Sequence, residues 1–161
     1  MILQANGKQE KAGAIILVSD KVDFKIRQVK RDKEGKYIMI KGTLHQEEIT
    51  LINIYAHNTG APKFTKQLLT NLKEDINNNT IIVGDLNTPL TSMDRSSRQK
   101  INKETVELNE KLDQLDLIHK HRTLYPKQQK HSIQNSRIHI LLNCTQNILK
   151  DRLYVGEKGE H

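Results

Sequence analysis

The stretch Thr80-Ile81-Ile82-Val83-Gly84-Asp85-Leu86-Asn87-Thr88-Pro89-Leu90 constrains the fold more than any other. Ile81 to Val83 are apolar, β-branched and bounded by turn formers, which predicts a buried strand. Gly84 lets the backbone bend or approach a neighbour closely at the strand's end. In a strand-like segment Asp85 and Asn87 point to the same side. One is an anionic acceptor and a candidate base; the other donates and accepts. The pair suits a water to be activated beside a phosphate to be held. It also fits a strand that simply runs into an Asx-type turn.

A second apolar run, Gly13-Ala14-Ile15-Ile16-Leu17-Val18, reads as a central strand buried on both faces. It has no obvious strand before it, so an exposed apolar edge is expected around residues 15–18. Residues 24–29 and 37–44 alternate, with Ile38 and Ile40 on one side and Met39 and Lys41 on the other. A charged turn lies at 31–36 and a second turn at Glu47-Glu48; another strand follows at 49–55. This predicts an antiparallel meander of three strands. Tyr55, His57 and Asn58 close the last of them. Pro62 suits the first turn of a helix over 63–76, with Phe64, Leu68, Leu69 and Leu72 on one face. Asn77-Asn78-Asn79 ends it. If the strands before and after this helix are parallel in one sheet, their carboxyl ends open on the same edge, where ligands bind.

A polar, basic loop at 94–100 precedes a second helix over 103–115, with Asn102 as N-cap. Its expected buried side is Val106, Leu108, Leu112 and Leu115. Residues 127–135 are almost wholly polar. Residues 138–142 fit one short strand, and 143–161 lack a clear period and are not expected to pack.

At 161 residues the chain favours one domain. Hydrophobic residues make up 35% and aromatics 4%, with no Trp, so the core is modest. The net charge of +7 points to a polyanionic partner, nucleic acid ahead of membrane, against the plainer reading of a basic solvated surface. A single cysteine excludes an intrachain disulfide and favours an intracellular compartment. The first residues are too polar for a signal peptide, and no apolar run approaches the ~18 residues of a membrane span. There is no Gly-rich nucleotide loop and no nucleophile elbow. His119, His121, His131 and His139 with Cys144 match no zinc spacing.

The strongest constellation is Tyr55, Asn58, Asp85 and Asn87. Phosphodiester hydrolysis needs an activated water, neutralised phosphate oxygens and often a divalent metal. These four supply part of that, because a hard metal site wants further carboxylates.

Asn53-Ile54-Tyr55-Ala56-His57-Asn58-Thr59-Gly60-Ala61-Pro62, followed by Gly84-Asp85-Leu86-Asn87-Thr88-Pro89-Leu90, resembles the endonuclease domain of mammalian long-interspersed-element retrotransposons. That domain belongs to the endonuclease/exonuclease/phosphatase superfamily. The likeness runs from about residue 4 to 126, which would make 4–126 a partial domain and 127–161 a divergent tail. It implies an α/β fold, a partial four-layer α/β/β/α sandwich lacking its first and last elements, and Mg²⁺-dependent nicking of DNA in the nucleus. By the same likeness Asp85 aligns and activates the attacking water, and Asn87 helps bind the scissile phosphate. Tyr55 and Asn58 line the same cleft. The family's early Asn and its metal-binding Glu would lie before Met1. The family has Pro where this chain has His57. Its Ser-Lys/Arg-Ile-Asp-His motif becomes Ser136-Arg137-Ile138-His139, without the Asp, and Ser132 stands near a family Thr. The terminal Ser-Asp-His motif is not found. The resemblance therefore implies a remnant of a retrotransposon endonuclease with little or no activity. The alternative is a non-catalytic basic nucleic-acid-binding protein or an unstable fragment.

Overall fold

The computed structural model describes residues 1–6, 13–90, 102–119, 138–143 and 153–157. The loop at 94–100, the polar segment 127–135 and Ser132 lie outside the described residues.

The three alternating segments form the expected meander: β3 (Phe24–Arg31), β4 (Tyr37–Leu44) and β5 (Glu47–Tyr55), each antiparallel to the next. Their turn differs from the sequence reading. It is His45-Gln46, with φ of 49° and 68°, while Glu47 and Glu48 lie in β5 opposite Leu44 and Thr43. Two left-handed residues give the twist that joins right-twisted strands in a two-residue hairpin.

From β5 the chain enters helix α1 (Ala61–Asn71), with Pro62 in its first turn, and returns through β6 (Thr80–Asp85). β6 lies parallel to β5, from Thr50↔Thr80 to Tyr55↔Asp85. The helix ends earlier than the predicted residue 76. Leu72 caps it and a single 3₁₀ turn, Lys73–Asp75, follows. That turn carries the Asp75 carboxylate to Lys30 Nζ at 2.5 Å and Lys41 Nζ at 3.1 Å, tying the helical layer to β3 and β4. Burial pushes the Asp75 carboxyl up, but the hydrogen bonds and charges of Lys30 and Lys41 outweigh it and hold the group below the usual carboxylate range.

The strand β8 (Ile138–Asn143) pairs with the other side of β6, and β7 (Ile118–His119) pairs with β8. The six-stranded order is β3-β4-β5-β6-β8-β7. A smaller sheet has the order β1-β2-β9, where β1 is Ile2–Asn6, β2 is Gly13–Val18 and β9 is Leu153–Glu157. The expected exposed edge at 15–18 is therefore corrected. β2 is the middle strand, paired on both sides. Its neighbour Ile2-Leu3-Gln4-Ala5-Asn6 is too short and mixed to read as a strand from pattern alone. β9 arises within the stretch after residue 143, where no packing was expected.

Alternation along β4, β5 and β6 divides the core in two. Met39, Ile52, Ile54 and Ile82 face the helices, where Leu68, Leu69, Leu72, Leu108 and Leu112 meet them. Ile38, Ile40, Ile49, Leu51 and Ile81 face the small sheet and its Ala14, Ile16 and Val18. The architecture is a mixed α+β sandwich with two sheets and, among the described residues, two helices. Helix α2 (Lys103–Gln114) is capped as expected, its Asn102 Oδ1 accepting from the Thr105 N–H at 2.8 Å. Its buried stripe is Thr105, Leu108 and Leu112. Val106, expected inside, is 45% exposed, since one helical step turns it about 100° from Thr105. Lys66 of α1 and Glu107 of α2 pair at 2.6 Å across the two helices. Among the described residues no helix is long and apolar enough to cross a membrane.

Candidate functional site

The parallel pairing of β5 and β6 brings their carboxyl ends together. Tyr55 and Asp85 are register partners, the last pair of the ladder. By strand parity Tyr55 follows Ile49 and Leu51, and Asp85 follows Ile81. All three of those side chains face the small sheet, so Tyr55 and Asp85 continue the same side of one sheet.

Gly84 makes the close pairing feasible. Its φ is +138°, and a Cβ there would sit 1.8 Å from the Ile54 carbonyl oxygen and 2.8 Å from Asn53 Oδ1. The glycine inferred from sequence to permit a close approach does so against β5.

Past the ladder, the strand ends are stitched together. The Ala56 N–H donates to the Asp85 carbonyl at 2.8 Å. Asn87 Nδ2 donates to the Ala56 carbonyl at 2.5 Å. The Asp85 carboxylate, through Oδ1, accepts the Asn87 N–H at 2.9 Å. This last bond is an Asx turn, and Asn87 adopts φ +44° to make it. The plainer reading of the motif is thus present, and the same turn places the carboxylate and the amide beside the neighbouring strand's end. Asp85 is buried at 8% exposure, while Tyr55 and Asn87 are half-buried.

Asn58 stands apart from this cluster. It is exposed on the connector to α1 and makes no hydrogen bond among the described residues. His57 is exposed too, and its ring meets that of Tyr55 edge-on, with centroids 5.7 Å apart and planes at 68°.

Two supports were not read from the sequence. Asn53, two residues before Tyr55, is 1% exposed and donates through Nδ2 to the Ile15 carbonyl at 2.8 Å, tying the two sheets beneath the site. An amide inside an apolar strand was the available signal, because a buried amide requires a partner. The turn at 32–36 is the other. The Lys36 carbonyl accepts the Tyr55 N–H at 2.7 Å and the Gly35 carbonyl accepts the Ala14 N–H at 3.1 Å. Lys36 Nζ lies 2.5 Å from Glu34 and 5.3 Å from the Phe64 ring centroid.

The donors gathered at the strand ends are one carboxylate, amides and a phenol. Among the described residues no group of three or more His, Cys, Asp or Glu converges as a metal site would require. Mg²⁺ usually keeps several waters and is held by one or two carboxylates plus substrate phosphates. With Asp85 as the one carboxylate described at the strand ends, these donors do not fit Mg²⁺ unaided by water and substrate.

No protein-family model matches the chain. Among solved structures, the endonuclease domain of TRAS1, a telomere-specific non-LTR retrotransposon, superposes with a TM-score of 0.63 at 16% identity, over 99% of this chain and 78% of that one. The chain has the fold of that endonuclease domain. Beta toxin of Staphylococcus aureus, in a structure with bound magnesium ions, aligns with a TM-score of 0.43 at 13% identity, over 80% of this chain and 57% of that one. At 16% identity the likeness to the TRAS1 domain establishes fold, and function must be argued from the site.

Proposed function

We propose that the chain is the remnant of a Mg²⁺-dependent DNA endonuclease of a retrotransposon, which engages DNA at the ends of β5 and β6 and hydrolyses it little or not at all. The observation that supports this reading is the pairing of Tyr55 with Asp85 on the same side of parallel strands, with Asn87 stitched across them. Ligands of α/β sheets bind outside the carboxyl ends of such strands. The resemblance to mammalian long-interspersed-element domains at these residues adds the substrate class, and the net charge of +7 adds affinity for a polyanion.

In this reading the Asp85 carboxylate orients a water. The Tyr55 hydroxyl contacts a phosphate oxygen, and the Asn58 amide, exposed on the connector, contacts the DNA backbone outside the strand-end cluster. Asn87 spends one N–H on the Ala56 carbonyl, so it fixes the strand ends as well as facing the phosphate. Bound Mg²⁺ would supply charge neutralisation at the phosphate, and no step is assigned to it because the described donors do not fit it unaided. The low activity follows from the sequence: Ser136-Arg137-Ile138-His139 omits the Asp that the resembling motif carries. Groups that act as a unit lose most of their effect when one is missing.

Supercoiled-plasmid nicking in Mg²⁺, run beside DNA-binding anisotropy, tests this. The expected result is salt-sensitive DNA binding, with nicking no greater than that of Asp85→Ala. Nicking that is robust in the natural chain and abolished in Asp85→Ala would overturn the inactivity. Absence of DNA binding at low salt would overturn the DNA reading. A purely non-catalytic basic binder, the second reading, is favoured by the charge alone; Asp85→Ala and Tyr55→Phe would then leave binding unchanged.

A further inference from the structure

We propose that His57 and Tyr55 together form a stacking step that receives an unpaired nucleobase beside the strand-end site. The inference rests on the DNA reading above and adds the form of nucleic acid the rim would hold. The two rings meet edge-to-face, at 5.7 Å and 68°. That geometry is an aromatic pairing in which one ring's edge points at the other's face. Tyr55 is half-buried at the end of β5, so it anchors the pair, and His57 is exposed beyond it. Among the described residues His57 makes no hydrogen bond and no ion pair, and it joins no cluster of metal-binding side chains. Beyond the Tyr55 ring, nothing in the described structure gives it a packing or ligating duty. What remains is a planar ring at the lip of the site, fixed on one side and open on the other.

The surroundings favour nucleic acid. From residue 55 through the first turn of α1 the sequence contains no acidic residue, and Lys63 adds a positive charge there. A phosphate lying along this connector meets no nearby repulsion from it. A base inside a duplex has both faces covered by its neighbours. Only an unstacked base has a π-face to offer to an aromatic ring. The ligand class is therefore a frayed, gapped or single-stranded stretch adjoining the bound phosphate.

The test uses the full chain with two oligonucleotides, one a perfect duplex and one with 2-aminopurine unpaired in a short gap. Affinity is read by anisotropy and stacking by quenching of the 2-aminopurine. His57→Phe keeps a π-face without charge, His57→Lys keeps a positive charge without a π-face, and His57→Ala keeps neither. The expected result is gap affinity within about twofold for Phe, and a loss of about fivefold or more for both Lys and Ala, with the quenching lost. The perfect duplex should be bound equally by all four proteins. If Lys matches the natural chain while Phe behaves like Ala, the contact is electrostatic and the stacking proposal is overturned. Equal losses on gap and duplex overturn it as well. If the natural chain binds neither oligonucleotide, the DNA reading itself fails and this inference falls with it. An unchanged melting temperature in all three variants is the folding control, since His57 is exposed.

Discussion

Replacing Gly84 by alanine tests the geometry that puts Asp85 beside Tyr55. Two penalties combine at this position. The φ of +138° is strained for any residue with a Cβ, and the added carbon would lie 1.8 Å from the Ile54 carbonyl oxygen. That oxygen is backbone in the middle of a six-stranded sheet, so it cannot swing aside as a side-chain tip can. Strain at such a φ costs about 1–3 kcal/mol, and overpacking adds about 1–3. Gly84→Ala should therefore lose about 2–6 kcal/mol, against a total stability of roughly 5–15 for a natural domain. Melting should fall by about 4–24 °C for a chain of this size. Gly60→Ala is the matched control. Gly60 also has a positive φ, +72°, but nothing lies within 4 Å of its would-be Cβ. It should cost only about 1 kcal/mol. Urea unfolding of both variants, with slopes compared to show that the same surface is exposed, reads the difference. If Gly84→Ala costs no more than Gly60→Ala, the close approach of β6 to β5 is not as described.

Asp75→Asn should destabilise the fold by about 1–3 kcal/mol near neutral pH, because it leaves Lys30 and Lys41 crowded without their counter-charge. The folded carboxyl is held below its unfolded value, so its contribution is fully present above the ordinary Asp pKa of about 3.9 and fades as pH falls through the folded value. Denaturation from pH 3 to 7 should show the gap between natural chain and variant constant at the upper end and shrinking at about pH 4 and below. In the β4–β5 turn, His45→Asn with Gln46→Gly should stabilise by about 1 kcal/mol, since both positions have positive φ; an unchanged or lower melting temperature would count against the turn. At Asn87, Gly should be tolerated better than Ala, because φ is +44° and Ala loses the bond to Ala56 while keeping the strain. Thermal melts rank the two, and the reverse order would refute the left-handed turn.

Local pattern carried most of the six-stranded sheet. Period-two alternation sorted Ile38 and Ile40 from Met39 and Lys41, and the structure puts the two isoleucines against the small sheet and Met39 against the helices. The strand–helix–strand unit between β5 and β6 was legible because Pro62, the leucine stripe and the three asparagines mark its limits. Tyr55 and Asp85 could be named for the same reason: each is the last residue of a strand whose direction the helix fixes. Elements that depend on distant partners were hidden. β1 and β9 flank β2 from opposite ends of the chain, and neither has an apolar pattern strong enough to stand without it. Helix α1 stops early, and the 3₁₀ turn after it sets Asp75 against two lysines on other strands, a partnership that no local signal encodes. The tie made by Asn53 was hidden because its partner is a backbone carbonyl in the other sheet.

An NMR titration of the isotope-labelled chain with a short DNA duplex probes most directly where nucleic acid sits. Perturbed amides should cluster at Tyr55, Ala56, Asn58, Gly84, Asp85 and Asn87, at the joined ends of β5 and β6. Perturbation confined to Lys25, Arg27 and Arg31 along the basic outer strand, with the strand ends silent, would show that charge alone holds the DNA and that the joined strand ends are not where it binds.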